Sequence, residues 1–357
     1  MFETIRVAVM LMFDSFMFNS LILLPISSLI VYVLVGVWLN YANHKKLLDL
    51  PNLRSSHSTP ILRGGGLPIV CMFFVILTYL LYIQLVPVKY FFALFIGGFL
   101  ISLVGLLDDF FQIALWKRLL VHFIASFSSI YFLGGLAPIV LYGYTLDFGL
   151  LSDVIIIIFL VWMINLYNFM DGINGIASIE TISVVFAVAS LYFMFDSLLF
   201  VSWFPPLFLG FCVIGFLFWN FPNAKIFLGD VGSGFLGFII GVFAIYSSWD
   251  HFSMFWAWLI LLGVFIVDST FTLIYRILTG EKFYTAHNQH LYQILSHRFS
   301  SQKRVSLAVA ATNIFWLLPI AYFVSSQVLE GILGMIIAYT PLIGTSIYYR
   351  MNIRVKN

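Results

Sequence analysis

The chain has 357 residues, of which 62% are hydrophobic and only 9% charged, and its mean hydropathy is +1.06. A soluble domain of that length carries far more charge, so the composition excludes a soluble globular protein and points to a protein that crosses the bilayer many times. A formal net charge of +2 gives no argument for a nucleic-acid partner, and Cys71 and Cys212, both inside apolar runs, are too few for a disulfide or zinc framework.

Residues 1–17 are half apolar and read as a helix lying in the membrane interface. No basic leader with a small-residue cleavage site precedes the first apolar run, which is therefore expected to serve as an uncleaved anchor. From there the apolar runs predict about eleven transmembrane helices, near 18–41, 66–86, 89–107, 118–135, 151–167, 175–194, 203–220, 233–248, 254–275, 305–325 and 329–349. The loops are short and no internal repeat is visible, so the expectation is an all-α, polytopic bundle forming one membrane domain over 1–357. Under this topology fifteen of the 17 lysines and arginines share one side, and only Arg6 and Lys89 take the other. The positive-inside rule makes the first side cytoplasmic. An odd number of spans then puts the N-terminus outside and the C-terminus in the cytoplasm.

The polar segments fall mainly on that cytoplasmic side. The first loop carries Arg54-Ser55-Ser56-His57 and Arg63-Gly64-Gly65-Gly66, a set of cations, hydroxyls and glycines suited to phosphate; a plain positive-inside loop is the alternative. Asp108-Asp109 ends the third span. Adjacent helical residues point about 100° apart, so one carboxylate can face a metal and the other a basic partner such as Lys117 or Arg118. Asn165, Asn168, Asp171 and Asn174 recur in steps of three, which on a helix stacks them on one face. Such a stripe needs partners in a low dielectric, either in a site or in a helix-packing seam. Gly172 and Gly175 permit close approach or a helix break.

Further on, Gly229-Asp230-Val231-Gly232-Ser233-Gly234 opens the eighth span as a glycine-rich turn, a pattern that offers free N–H groups to an anion and sets Asp230 beside it. Asp268 lies inside the ninth span and reads as a satisfied structural residue. Glu180, in the sixth, reads the same way. His287 and His290 occupy the longest cytoplasmic loop, where imidazole contact with a diphosphate is a better fit than a two-histidine metal site.

Taken together, Arg54-Ser-Ser-His57, Arg63-Gly-Gly-Gly66, Asp108-Asp109, Asn165-Leu-Tyr-Asn168-Phe-Met-Asp171-Gly172-Ile-Asn174, Phe227-Leu-Gly-Asp230-Val-Gly-Ser233 and His287-Asn-Gln-His290 resemble the polyprenyl-phosphate N-acetylhexosamine-1-phosphate transferases, glycosyltransferase family 4. Order and spacing match over roughly 42–298, and the variant looks most like the branch that starts O-antigen or other surface-glycan synthesis. The resemblance implies an enzyme of the bacterial inner membrane with its active site on the cytoplasmic face. It would transfer a sugar-1-phosphate from a UDP-N-acetylhexosamine to undecaprenyl phosphate and release UMP, with Mg²⁺ or Mn²⁺ as cofactor. Dimers occur in the family.

The resemblance further implies Asp230 as the leading metal ligand, helped by Asp171 in the nucleotide-sugar site. Asp108 and Asp109 would act at the lipid phosphate, and His287 and His290 would contact substrate phosphates. Arg54, His57, Arg63, Asn165, Asn168 and Asn174 complete the expected substrate-binding set. Two departures stand out. Many relatives carry a second Asp where this chain has Asn174, which brings no charge for a metal, and His-x-x-His lacks the adjacent histidines of the peptidoglycan-precursor branch. The rival from another class is a transporter or flippase of a lipid-linked or anionic solute. Transporters, however, place ionisable groups near the bilayer midplane on broken helices, whereas most of these groups lie at span ends.

Overall fold

The computed structural model describes residues 2–45, 48–49, 61–281 and 288–354, with side chains for 21–45, 61–281 and 288–351. The helices run α1 (Phe2–His44), α2 (Leu67–Tyr82), α3 (Val88–Phe111), α4 (Leu115–Leu133), α5 (Leu150–Met170), α6 (Ile176–Phe195), α7 (Phe200–Asn220), α8 (Asp230–Ser247), α9 (Phe252–Leu261), α10 (Gly263–Leu278), α11 (Leu291–Arg298), α12 (Gln302–Thr312), α13 (Leu318–Ser325) and α14 (Gly331–Arg354). A π-helical turn, Asn313–Leu317, joins α12 to α13. Two small antiparallel pairs complete the described elements: β1 (Leu48–Asp49) with β2 (Ile61–Leu62), and β3 (Ile139–Leu141) with β4 (Tyr144–Leu146).

Each of the eleven expected spans coincides with a helix or a helix pair, but not all qualify as crossings. Among the described residues eight helices are long and apolar enough to cross a membrane, and nine if the bent pair α9–α10 counts as one span. Helix α2, at 16 residues, is shorter than the roughly 20 a perpendicular crossing needs. Helix α4 opens on Lys117 and Arg118 and carries His122 and three serines, which lower its hydropathy. The ninth run breaks at Leu262, where α9 and α10 meet at 67°. The N-terminal run is also not separate: one continuous helix extends from Phe2 through the first span.

Helix α8 is the centre of the bundle. Within its membrane window 89% of residues are buried, against 22% for the first span and for α14. Lipid tails supply no hydrophobic drive between helices, so close packing and small residues carry the association. Helix α8 meets that condition through Gly237, whose missing side chain lets the Met163 carbonyl and Tyr167 of α5 approach, and Gly241, which accepts Leu160. On its other side Phe238 fills the space left by Gly97 of α3, and Phe235 packs edge-on against Phe73 and Phe74 of α2. Leu29, Val33 and Val37 of α1, Phe127 and Tyr131 of α4, and Ile336 and Ile347 of α14 stay exposed, as lipid-facing residues would.

Gly237→Ala tests the packing. The added methyl would press on the Met163 backbone and lie 2.9 Å from Tyr167 Cβ, and overpacking of this kind costs about 1–3 kcal/mol. The variant should unfold at lower temperature in detergent, while Gly344→Ala, with nothing within 4 Å of the new methyl, should not.

Candidate active site

The candidate site forms where α3 and α5 end and α4 begins, beside the first turn of α8. Its floor is backbone. The segment after β2 runs parallel to the strand-like stretch before α8: Phe227 N–H donates to Leu62 O at 2.8 Å, Gly65 N–H to Phe227 O at 2.9 Å, and Gly66 N–H to Leu228 O at 2.8 Å. Glycine is required at these crossings. A Cβ on Gly66 would fall on the Gly232 backbone, one on Gly105 of α3 on the Asp230 carbonyl, and Gly229 holds φ +77°, where a side chain would also meet Asp109. The Asp230 turn is thus clamped between the start of α2 and the end of α3.

The first turn of a helix leaves N–H groups without partners. Asp109 supplies them: its Oδ1 accepts from Asp230 N–H at 3.0 Å and its Oδ2 from Val231 N–H at 3.2 Å. The glycine-rich turn expected to cradle a substrate anion is therefore filled by the chain's own carboxylate. The labour of the Asp108-Asp109 pair divides differently from the expectation as well, since Asp109 faces helix N–H groups rather than a metal. Asp108 does take the basic partner: Arg118 Nη1 donates to its Oδ2 at 2.6 Å. The same nitrogen lies 3.1 Å from Asp230 Oδ2, so one guanidinium bridges two of the acids. The other oxygen of Asp230, Oδ1, accepts from Asn168 Nδ2 at 2.8 Å, and that amide also reaches Ser233 Oγ at 3.3 Å.

Helix α5 stops at Met170, so the four-member polar stripe does not run along one helix. Only Asn165 and Asn168 are helical; Asp171 is the C-terminal cap and Asn174 lies in the turn before α6. Asn165 Nδ2 donates back to Val161 O at 2.6 Å within its own helix. Asn174 ties elements together: its Nδ2 donates to Pro222 O, its N–H to Gln302 Oε1, and its carbonyl accepts from Ser306 Oγ. Asn220, with no sequence signal beyond its place after an apolar run, is buried and joins the same turn to the α8 approach. Its Oδ1 accepts from Gly175 N–H at 2.7 Å and its Nδ2 donates to Ile226 O at 2.9 Å.

Asp171 is the acid left over. Its carboxylate accepts no hydrogen bond from a described residue. Desolvation first, then the negative charges of Asp230 and Asp109, push its pKa well above the usual carboxylate range, with Arg63 pulling the other way. Four carboxylates therefore gather near two guanidinium groups, those of Arg118 and Arg63. Asp171 and Asp230 carry hard oxygen donors of the kind Mg²⁺ prefers. Among the described residues no group of three or more His, Cys, Asp or Glu side chains is arranged to hold a metal alone.

A second capped helix borders the site. Asp268, buried in α10, accepts from Leu291 N–H at 2.7 Å and Tyr292 N–H at 3.0 Å, the opening of α11. His290 precedes that helix. It is buried, has Nδ1 3.5 Å from Asp268, and stacks between Phe169 of α5 and Tyr292. Tyr292 hydroxyl donates to Phe169 O at 3.0 Å and fills the space that a side chain on Gly172 would need. His290 thus stands at the end of α5, one helical residue from Asn168. Arg54, His57 and His287 lie outside the described residues.

Residues 91–248 match the model of glycosyl transferase family 4. The chain is 42% identical over 95 residues to a probable undecaprenyl-phosphate N-acetylglucosaminyl 1-phosphate transferase of Bacillus subtilis (strain 168), covering 24% of this chain and 26% of that protein. It is 28% identical over 120 residues to an undecaprenyl-phosphate alpha-N-acetylglucosaminyl 1-phosphate transferase of Thermotoga maritima, covering 32% of this chain and 40% of the relative. The matches thus span about a quarter and two fifths of those relatives. The family segment holds Asp108, Asp109, Arg118, Asn168, Asp171 and Asp230, while Arg63, Asp268 and His290 approach from outside it.

The raised pKa of Asp171 fixes a sign. Between the usual carboxylate pKa and its own, the native chain holds a proton that the unfolded chain has lost, so this group lowers stability as pH rises through that window. Asp171→Asn should therefore flatten that slope and raise the unfolding temperature at neutral pH in metal-free detergent solution. A lower unfolding temperature with the slope unchanged would contradict the assignment.

Proposed function

We propose that this chain transfers a sugar-1-phosphate from a UDP-N-acetylhexosamine to undecaprenyl phosphate, giving the lipid diphosphate sugar and UMP. It would do so at the cytoplasmic face of the bacterial inner membrane, as the first membrane step of O-antigen or related surface-glycan synthesis. The observation that carries the reading is the meeting of Asp108 and Asp230 on Arg118 at the head of α8, with Asp171 close enough to feel the charge of Asp230, within the segment matched to the family model. The relatives, named as undecaprenyl-phosphate transferases, suggest the acceptor. The distribution of basic residues supports the orientation, with the N-terminus outside and the C-terminus cytoplasmic.

An oxygen of the lipid phosphate attacks the β-phosphorus of the UDP-sugar. The new phosphoanhydride bond forms as the α–β anhydride breaks, and the bridging oxygen leaves with UMP. A phosphate monoester with a second pKa near 6 is mostly dianionic at neutral pH, so the residues need do little proton transfer. Their task is to hold two anions in line. Arg118 places a positive charge between Asp108 and Asp230 and keeps their oxygens from splaying apart. Asn168 fixes the Asp230 carboxylate by its Oδ1 and leaves Asp230 Oδ2 directed to Arg118. Asp171 and Asp230 are the residues that would hold Mg²⁺ or Mn²⁺; such ions bind through one or two carboxylates plus substrate phosphates, and supply charge neutralisation at the diphosphate. His290, steadied by Asp268 and two aromatic rings, would donate an N–H to a phosphate oxygen.

Asp230→Asn keeps an oxygen for Asn168 and removes the charge. In purified protein with undecaprenyl phosphate, Mg²⁺ and a panel of UDP-N-acetylhexosamines, the native chain should release UMP only when lipid and metal are both present. The variant should lose that release by about 100-fold or more while remaining folded. Near-normal turnover in the variant would overturn the role of Asp230, and nucleotide-sugar binding without any UMP release by the native chain would overturn the reaction.

A further inference from the structure

Arg350 sits near the end of α14, outside the stretch matched to the family. An arginine on a bilayer helix is costly unless satisfied, and this one is only 8% exposed. Its guanidinium lies over the rings of Tyr275, at 4.8 Å, and Phe271, at 5.5 Å, both on α10. Its Nη2 donates to Gln289 O at 2.6 Å and to the Thr272 hydroxyl. Both acceptors lead to the same place. Gln289 is the residue before His290. Thr272 in turn donates to Asp268 Oδ1 at 3.2 Å, the oxygen that accepts from Leu291 N–H and lies 3.5 Å from His290 Nδ1.

We infer that Arg350 is a positioning residue of the site: from the last helix it fixes His290 against the end of α5 by gripping the peptide before it and, through Thr272, the carboxylate beneath it. The geometry assigns two parallel routes to one arginine. The direct route restrains the backbone at Gln289. The indirect route orients Asp268, which must present its oxygens to the Leu291 and Tyr292 N–H groups for α11 to begin there. Without the guanidinium, Thr272 can turn its hydroxyl to its own helix, Asp268 loses a lateral restraint, and the loop carrying His290 keeps the α11 cap and the hydrogen bond from Gln289 to Glu281 but loses the grip on its backbone. A planar, multiply donating group suits this double grip better than an ammonium, which offers one point charge. Charge also argues for the position: the Arg350 cation faces the buried Asp268 carboxylate across Thr272, with Arg276 paired instead to Glu281 at 2.9 Å. This inference rests on the proposed function only in treating His290 as a residue that meets substrate.

The test reads His290 itself. Full-length protein in detergent is treated with diethylpyrocarbonate, and modification of the peptide containing His290 is followed by mass spectrometry in the native chain, Arg350→Met, Arg350→Lys and Thr272→Val. Loss of a charged hydrogen bond that restrains a local opening should raise the His290 modification rate about tenfold in Arg350→Met, with smaller rises in Arg350→Lys and Thr272→Val. Arg298→Met, which removes only an arginine–tyrosine stack between α11 and α14, is the control and should leave the rate unchanged. Should Arg350→Met fail to fold, the lysine and valine variants decide the matter in the same way. An unchanged His290 rate in the folded variants overturns the inference. UMP release is measured alongside: where the reaction is as proposed, Arg350→Met lowers kcat and Arg350→Lys partly restores it. A raised His290 rate with no UMP release by the native chain would leave the positioning role standing and remove the transferase reading alone.

Discussion

The site depends on one interaction used twice: a carboxylate inside the bundle that accepts the first N–H groups of the next helix. Asp109 does this for α8 and Asp268 for α11. In a low-dielectric interior both partners need the other. The unpaired N–H groups of a helix start are costly without water, and so is an unpaired carboxylate. Helix dipole and carboxylate charge have compatible signs. The result is that two helices begin at fixed points, each with a functional candidate beside its first residue, Asp230 at one and His290 at the other.

This arrangement separates acids that hold the structure from acids left for chemistry. Asp109 and Asp268 spend their oxygens on backbone N–H groups. Asp108 and Asp230 share Arg118, and Asp171 has no donor to its carboxylate among the described residues. Burial first, and then the charges of Asp230 and Asp109, raise the proton affinity of Asp171, a condition a bound divalent ion would relieve. The backbone floor from 62–66 and 226–228, which tolerates no side chain at Gly66 or Gly229, keeps these charges from moving apart.

Much of this was legible in the sequence. Hydropathy marked each helix that, among the described residues, is long and apolar enough to cross a membrane, and the acidic segments named the residues that meet at the head of α8. Arg118 was one of two basic candidates beside Asp108, and the structure selects it over Lys117. What the sequence did not reveal was direction. Whether a glycine-rich turn receives a substrate anion or an internal carboxylate depends on how closely α3 approaches, and that approach is set by Gly105 and Gly66 against a backbone far along the chain. The step of three through Asn165, Asn168, Asp171 and Asn174 suggested one helical face, but α5 ends at Met170, so Asn174 instead ties the α5–α6 turn to α12 and Pro222. Short or bent helices such as α2 and α9–α10 look like full spans in a hydropathy profile because apolar content does not report a kink. Asn220 and Arg350 carry no local pattern at all; their roles exist only in the contacts they make.

We propose that Asp171 and Asp230 hold a divalent cation at the head of α8. The most direct measurement is an electron paramagnetic resonance titration of the purified chain with Mn²⁺, compared with Asp171→Asn and Asp230→Asn. The account predicts a bound ion in the native chain that weakens or disappears in each variant and is displaced by excess Mg²⁺. Undiminished Mn²⁺ binding in both folded variants would contradict it.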